Sequence, residues 1–140
     1  VDVKSRFMHA FTYSGHPTTC AVALANLDYL ERHDLVARAA ETGAYLQNAL
    51  KRLDGHPHVG ETRGLGMIAA IEFVADKAGR RPFDPSLQIG AKFQAHMTDL
   101  GVWSRINGDR YFLAPPLTTT RNEIDRIVEA AATALTRTFA

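Results

Sequence analysis

Phe7-Met8-His9-Ala10-Phe11-Thr12-Tyr13-Ser14-Gly15-His16-Pro17 decides how the rest of the chain is read. It places hydroxyls, the aromatic rings of Phe11 and Tyr13 and a glycine directly before a helix. Pro17 suits a first helical position, where its missing N–H would have had no partner. The positive end of the helix dipole then faces back into the stretch. The Thr12 and Ser14 hydroxyls, beside free backbone N–H groups, make an anion site, most naturally for a phosphate. The plainer reading is that Tyr13-Ser14-Gly15 is a polar turn that starts a helix.

Working outward, residues 17–32 read as a helix rich in Ala, Val and Leu. Val22, Ala25, Leu27 and Leu30 do not form one narrow stripe, so this helix expects burial on more than one side. Asp34 suits an N-cap for a second helix over 35–53, with Val36, Ala39, Gly43, Leu46, Leu50 and Leu53 on one face. Residues 54–58 form a loop; His56 and His58, without a third ligand close in sequence, are weak grounds for a metal. A short strand at 59–63 and a β-branched strand at 67–74 follow. Gly64, Gly66 and Ala69 match a dinucleotide fingerprint, but a strand follows where that fingerprint needs a helix. The glycines instead allow a bend or bulge between strand segments. A charged loop over 75–83 leads to Asp84-Pro85, which start a helix by cap and first-position rules, and Gly101 suits its C′ end. Residues 102–105 read as a strand, Asn107-Gly108 as a hairpin turn and residues 110–113 as the return strand. Thr120-Arg121-Asn122-Glu123 is a capping box for a last helix running to about residue 139. The order is that of an α+β fold, with helices packed on one side of a small, mainly antiparallel sheet.

Composition narrows the function. A hydrophobic fraction of 46% supports a core, and a net charge of +1 with scattered basic residues gives no nucleic-acid footprint. No apolar run reaches the length of a membrane span. The single cysteine, Cys20, suits a reducing compartment such as the cytoplasm. The chain opens at Val1 without an initiator methionine and just before a motif, which suggests a fragment of a longer protein.

Phe11-Thr12-Tyr13-Ser14-Gly15-His16-Pro17 resembles the phosphate-loop signature of the class III pyridoxal-phosphate aminotransferases, closest to the ω-amino acid:pyruvate branch. This chain has Ala10 where that pattern has glycine. The resemblance continues, in the same order, at Arg63-Gly64-Leu65-Gly66-Met67, Ser104-Arg105-Ile106-Asn107-Gly108-Asp109 and Ala114-Pro115-Pro116-Leu117. It implies the C-terminal small domain of a fold-type I aminotransferase over 34–140, preceded by the end of the large pyridoxal-phosphate-binding domain over 1–33. It implies pyridoxal 5′-phosphate as cofactor and transfer of an amino group from an amine or ω-amino acid to pyruvate or a similar keto acid. It implies a homodimer through the Thr12 loop, with the Thr12 hydroxyl on the phosphate bound in the other subunit and Phe11 and Tyr13 beside it. Arg105, first residue of an Arg-x-x-Gly-Asp pattern, receives the substrate carboxylate in such enzymes.

That assignment has sound chemistry, since guanidinium is planar, always charged and bidentate toward carboxylate. The competing reading pairs Arg105 with Asp109 across the hairpin. Arg63 serves equally as a site residue or as a charge that fixes the strand bend, and His9 and His16 as hydrogen-bond partners in the loop. None of Lys4, Lys51, Lys77 and Lys92 matches the family's cofactor-holding lysine motif, which lies upstream of the Thr12 stretch, so no catalytic residue is expected in this chain and it should be inactive alone. Alternatives are another class III branch (acetylornithine or aminobutyrate aminotransferase, or an aminomutase) and, from a different class, a non-catalytic α+β binding or assembly module.

Overall fold

The computed structural model describes residues 11–140. The beginning of the opening stretch (7–10, including His9) and Lys4 lie outside the described residues. The chain divides after Asp34 into two compact units, Val1–Asp34 and Leu35–Ala140.

In the first unit, Pro17 opens helix α1 (Pro17–Arg32), as its fixed φ favours. Asp34 does not cap the helix that follows it. It turns into the left-handed region at φ +48°, and its N–H donates to the Glu31 carbonyl at 3.1 Å, so it closes the end of α1. No residue of α1 is buried, and Val22 and Leu24 are each 64% exposed. The burial that its all-round apolar composition calls for is not supplied by the described residues.

The second unit is built on alternation in its strands and on helical spacing in its helices. Helix α2 (Leu35–Leu50) continues into a 3₁₀ turn, Lys51–Gly55, and turns Leu35, Thr42, Leu46, Ala49, Leu50 and Leu53 inward. Val36, expected on that stripe, is 75% exposed. With Leu35 inside, its neighbour about 100° round the helix falls on the wet side.

Strands β1 (Val59–Leu65) and β2 (Ile68–Phe73) pair antiparallel, with Leu65 opposite Ile68. The glycine pair therefore makes a full reversal through Gly66-Met67, with Gly66 at φ +55°. The register irregularity falls at the far end, between Val59 and Glu61. Helix α2 lies directly on this reversal. A Cβ on Gly43 would sit 2.5 Å from the Gly66 backbone, and Gln47 Nε2 donates to the carbonyls of Gly66 and Ile68 at 2.9 and 3.1 Å.

The continuous helix expected from Asp84 is interrupted. Asp84 caps a short 3₁₀ turn, Pro85–Leu87, by accepting from the Ser86 N–H at 2.9 Å. Gln88 then turns through φ +49°, and helix α3 (Ile89–Asp99) begins. Gly101 ends it as expected, in a Schellman arrangement: Gly101 N–H donates to Thr98 O and Val102 N–H to Met97 O, both at 2.9 Å. That cap uses the Val102 N–H, which helps explain why the strand expected from residue 102 starts later. Strand β3 is Arg105–Asn107 and β4 is Arg110–Leu113. Asn107 pairs with Arg110, so the turn is Gly108-Asp109 rather than Asn107-Gly108, with Gly108 at φ +58°. Helix α4 (Arg121–Thr138) opens on the Thr120–Glu123 capping box and buries Ile124, Val128, Ala131, Ala134 and Leu135.

The strands lie in the order β1-β2-β4-β3, antiparallel throughout. Helix α3 connects the two hairpins. Val59, Ala69, Ile71, Phe73, Tyr111 and Leu113 point to one face and meet Leu46, Leu50, Phe93, Met97, Ile124 and Leu135 from the helices in a single core. Tyr111 and Phe93 meet edge-on, with ring centroids 5.1 Å apart. This is the expected α+β layer: helices on one face of a small antiparallel sheet, with the other face left to carry side chains outward.

Candidate functional site

The expected site residues divide between the units: Phe11, Thr12 and Tyr13 belong to the first, Arg105 to the second. In the first unit the loop is a pair of tight turns. Ser14 N–H donates to Phe11 O at 3.0 Å and His16 N–H to Tyr13 O at 3.1 Å. Gly15, at φ +74°, permits the bend between them. Ser14 Oγ accepts from the Phe11 N–H at 3.3 Å, so that oxygen is engaged in building the turn. The Thr12 hydroxyl has no partner among the described residues. Phe11 and Tyr13 are 67% and 77% exposed. His16 occupies the N-cap of α1 in extended conformation, and its side chain caps nothing. Its ring instead meets Tyr13 edge-on at 6.2 Å. The Thr12 hydroxyl thus precedes in sequence a helix whose N-cap makes no side-chain bond, a donor set suited to a phosphate.

In the second unit, strand alternation sends Arg105, Phe112, Ala70 and Arg63 to the outer face in one row, from Arg105–Phe112, Phe112–Ala70 and Ala70–Arg63 pairing. Asn107, Arg110 and Glu72 form the next row. Glu72 binds two arginines: Arg63 Nη1 at 2.8 Å and Arg110 Nε at 2.8 Å. Arg63 also pairs with Glu61. The bonds from Arg110 and then Arg63 hold the Glu72 carboxyl below its ordinary range, while those from Glu72 and Glu61 raise Arg63. Arg63 is therefore engaged by two carboxylates of the sheet. A cavity of about 500 Å³ opens beside this network, lined in part by Glu61, Glu72, Arg80, Asp109 and Arg110.

Arg105 stands apart from that network. It is exposed on an edge strand, and its guanidinium has no hydrogen-bond or ion-pair partner among the described residues. The pairing with Asp109 is not made. Asp109 Oδ1 instead accepts from the Gly90 N–H at 3.2 Å, in the first turn of α3, and the Asp109 carbonyl accepts from Phe73 N–H at 2.8 Å. The Arg-x-x-Gly-Asp pattern thus places a free arginine on a strand whose turn is fastened by the aspartate.

Sequence reasoning missed Glu72 as the acceptor that engages both neighbouring arginines. Its alternation within β2 placed it on the outer face, but nothing local named its partners, which come from β1 and β4. His56 and His58 hold no metal constellation: no group of three or more ligating side chains occurs among the described residues. They pack instead on the end of α4, with His58 stacked on Phe139 at 4.5 Å and His56 at 5.3 Å from the same ring.

Comparison with known proteins gives the family. The model of the aminotransferase class-III family matches residues 2–135. The chain is 52% identical over 123 residues to a diaminobutyrate–2-oxoglutarate transaminase of Halomonas elongata, covering 86% of this chain and 26% of that protein. It is 39% identical over 135 residues to a putrescine–pyruvate aminotransferase of Pseudomonas aeruginosa, covering 96% and 29%. An (S)-enantioselective ω-transaminase from Thermomicrobium roseum superposes with a TM-score of 0.90 at 46% identity, covering 96% of this chain and 30% of that structure. The chain spans less than a third of the length of these relatives. With a family match over nearly its whole length and the small-domain fold of solved transaminases, the chain belongs to the class III aminotransferases, which depend on pyridoxal phosphate.

Proposed function

We propose that this chain is the C-terminal part of an aminotransferase that moves an amino group from an amine or ω-amino acid to pyruvate or a similar keto acid, and that Arg105 reads the acceptor's carboxylate. The observation that carries this reading is the free guanidinium of Arg105 on an edge strand, with the sheet's Asp109 and Glu72 carboxylates engaged elsewhere. The acceptors in the names of two relatives, 2-oxoglutarate and pyruvate, are both keto acids with a carboxylate beside the carbonyl. A long side chain at a sheet edge can turn in for an acid and out for an apolar amine.

Residues 1–33 then close the large domain and 34–140 form the small one. Pyridoxal phosphate, when bound, supplies the electron sink for the transfer. This chain's share is to bind and orient: the Thr12 hydroxyl and the start of α1 suit the phosphate end, which belongs to the partner subunit of a homodimer, with Phe11 and Tyr13 beside it. The lysine that holds the cofactor lies upstream. In support, Lys51 Nζ is committed to the Thr62 carbonyl at 2.6 Å and to Asp54 at 3.3 Å, and Lys77 donates to the Asp54 carbonyl. A second reading, with diaminobutyrate as donor and 2-oxoglutarate as acceptor, is favoured by the 52% identity to the Halomonas elongata protein. It keeps the same role for Arg105.

The test is Arg105→Ala in the complete enzyme, comparing kcat/KM for pyruvate with that for butanal, an acceptor without a carboxylate. Loss of a charged bidentate contact, about 2 kcal/mol or more, lowers the pyruvate value about 30-fold or more, and the aldehyde value far less. Equal losses for both acceptors would remove Arg105 from carboxylate recognition.

A further inference from the structure

Both flanks of strand β3 are fastened to the same face of α3. At one flank, the Gly108-Asp109 turn accepts the Gly90 N–H through Asp109 Oδ1. At the other, Gln94 Nε2 donates to the carbonyl of Ser104 at 2.7 Å. Gly90 and Gln94 are four residues apart, one turn along the helix, and so share a face. Between them Ile106 presses on Gly90, where an added Cβ would meet its side chain at 3.0 Å. Ser104 is held from the sheet side as well, since its hydroxyl donates to the Phe112 carbonyl, and Phe112 is the residue paired with Arg105.

The Ser104 carbonyl belongs to the peptide whose nitrogen is that of Arg105. From this geometry we infer that Gln94 is a positioning residue for carboxylate recognition, acting through the Ser104 peptide to fix the direction in which Arg105 leaves the strand. This rests on the role proposed above for Arg105. The lever is long: the guanidinium lies about 6 Å from its Cα, so a rotation of roughly 10° in that peptide moves it by about 1 Å, a displacement sufficient to weaken a bidentate contact severely. β3 is an edge strand of three residues. It has a neighbour on one side only, and α3 provides the restraint that a second strand would give.

The experiment uses the complete enzyme and the ratio of kcat/KM for pyruvate to that for butanal, in wild type, Gln94→Met, Gln94→Lys, Arg105→Ala and the Gln94→Met/Arg105→Ala double variant. Methionine fills the same space without a donor, and lysine keeps a donor at similar reach. Gln94→Met should lower the ratio about tenfold, chiefly through KM for pyruvate. Gln94→Lys should restore most of it, and the double variant should show no selective loss beyond Arg105→Ala alone. If Arg105→Ala is selective but Gln94→Met leaves the ratio unchanged, or lowers it additively with Arg105→Ala, Gln94 is not a positioning residue and the reading of Arg105 stands. If Arg105→Ala is itself unselective, both fall. A Gln94→Met variant too unstable to assay, with Gln94→Lys folded yet unselective, also overturns the inference.

Discussion

Gly90→Ala sets two physical arguments in opposition. Helix propensity says that alanine in α3 should stabilise, by at most about 1 kcal/mol. The contacts say otherwise. A Cβ at residue 90 would lie 2.0 Å from the Gly108 carbonyl oxygen, and ordinary contact begins at 3.4 Å. The β3–β4 turn must therefore retreat by about 1.4 Å. The obstructing atom is backbone, so no side chain can swing away. Retreat breaks the Gly90 N–H bond to Asp109 at 3.2 Å and strains the Phe73 N–H bond to the Asp109 carbonyl at 2.8 Å, each contributing about 1 kcal/mol. Repacking Ile106 against the new methyl adds about 1–3 kcal/mol. The net expectation is a loss of about 2–4 kcal/mol, or on the order of 10–20 °C in Tm for a unit of this size. Thermal and urea unfolding of the variant beside wild type measure it. An unchanged or higher midpoint would refute the close-approach reasoning and leave propensity as the winning effect.

Thr12→Ala should raise the dissociation constant for pyridoxal phosphate about ten- to a hundredfold, because a hydrogen bond to a charged phosphate contributes about 1.5–3 kcal/mol. A mixed dimer, with Thr12→Ala in one subunit and the cofactor lysine removed from the other, decides which subunit's phosphate Thr12 serves; activity that depends on a same-subunit Thr12 contradicts the cross-subunit arrangement. Burial, with smaller contributions from His58 and Lys77, lowers the His56 pKa below its ordinary 6.5. The unfolded chain therefore binds the proton more readily, and the His56 contribution is complete above pH 6.5 and declines as pH falls from there toward the folded value. Urea midpoints between pH 5 and 8 should rise with pH, and His56→Asn should flatten that slope; a slope of the same size in the variant would assign it to another group.

The α+β order and the capping box of α4 were legible because periodicity and local caps decide them. Element starts were less so. Asp84-Pro85 has the composition of an α-helix start, yet it opens only a 3₁₀ turn before Gln88 interrupts the path. What begins α3 is Asp109, a residue 19 positions later in sequence from Gly90, and no local rule points there. The same long-range bond accompanies the shift of the Asn107-Gly108 turn by one residue. Asp34 has the chemistry of a cap but sits in the backbone region that ends α1. At the candidate site, motif resemblance identified Arg105, but not why it is free. That depends on where Asp109 and Glu72 go, which is settled by strand pairing across the whole sheet. Nothing local in the sequence marks Gln94, and its spacing from Gly90 gains meaning only once β3 is known to lie across that helix.

The pairing of Glu72 with both Arg63 and Arg110 has a kinetic corollary for Arg105. An unengaged carboxylate elsewhere on the same sheet would be a tethered rival, present at an effective concentration of about millimolar or more. Any incoming acid would first have to displace it, and the apparent KM would rise in proportion. By saturating Glu72 with two guanidiniums and Asp109 with a helix N–H, the second unit removes these two rivals from its own surface, and a dilute keto acid meets an arginine that neither of them holds.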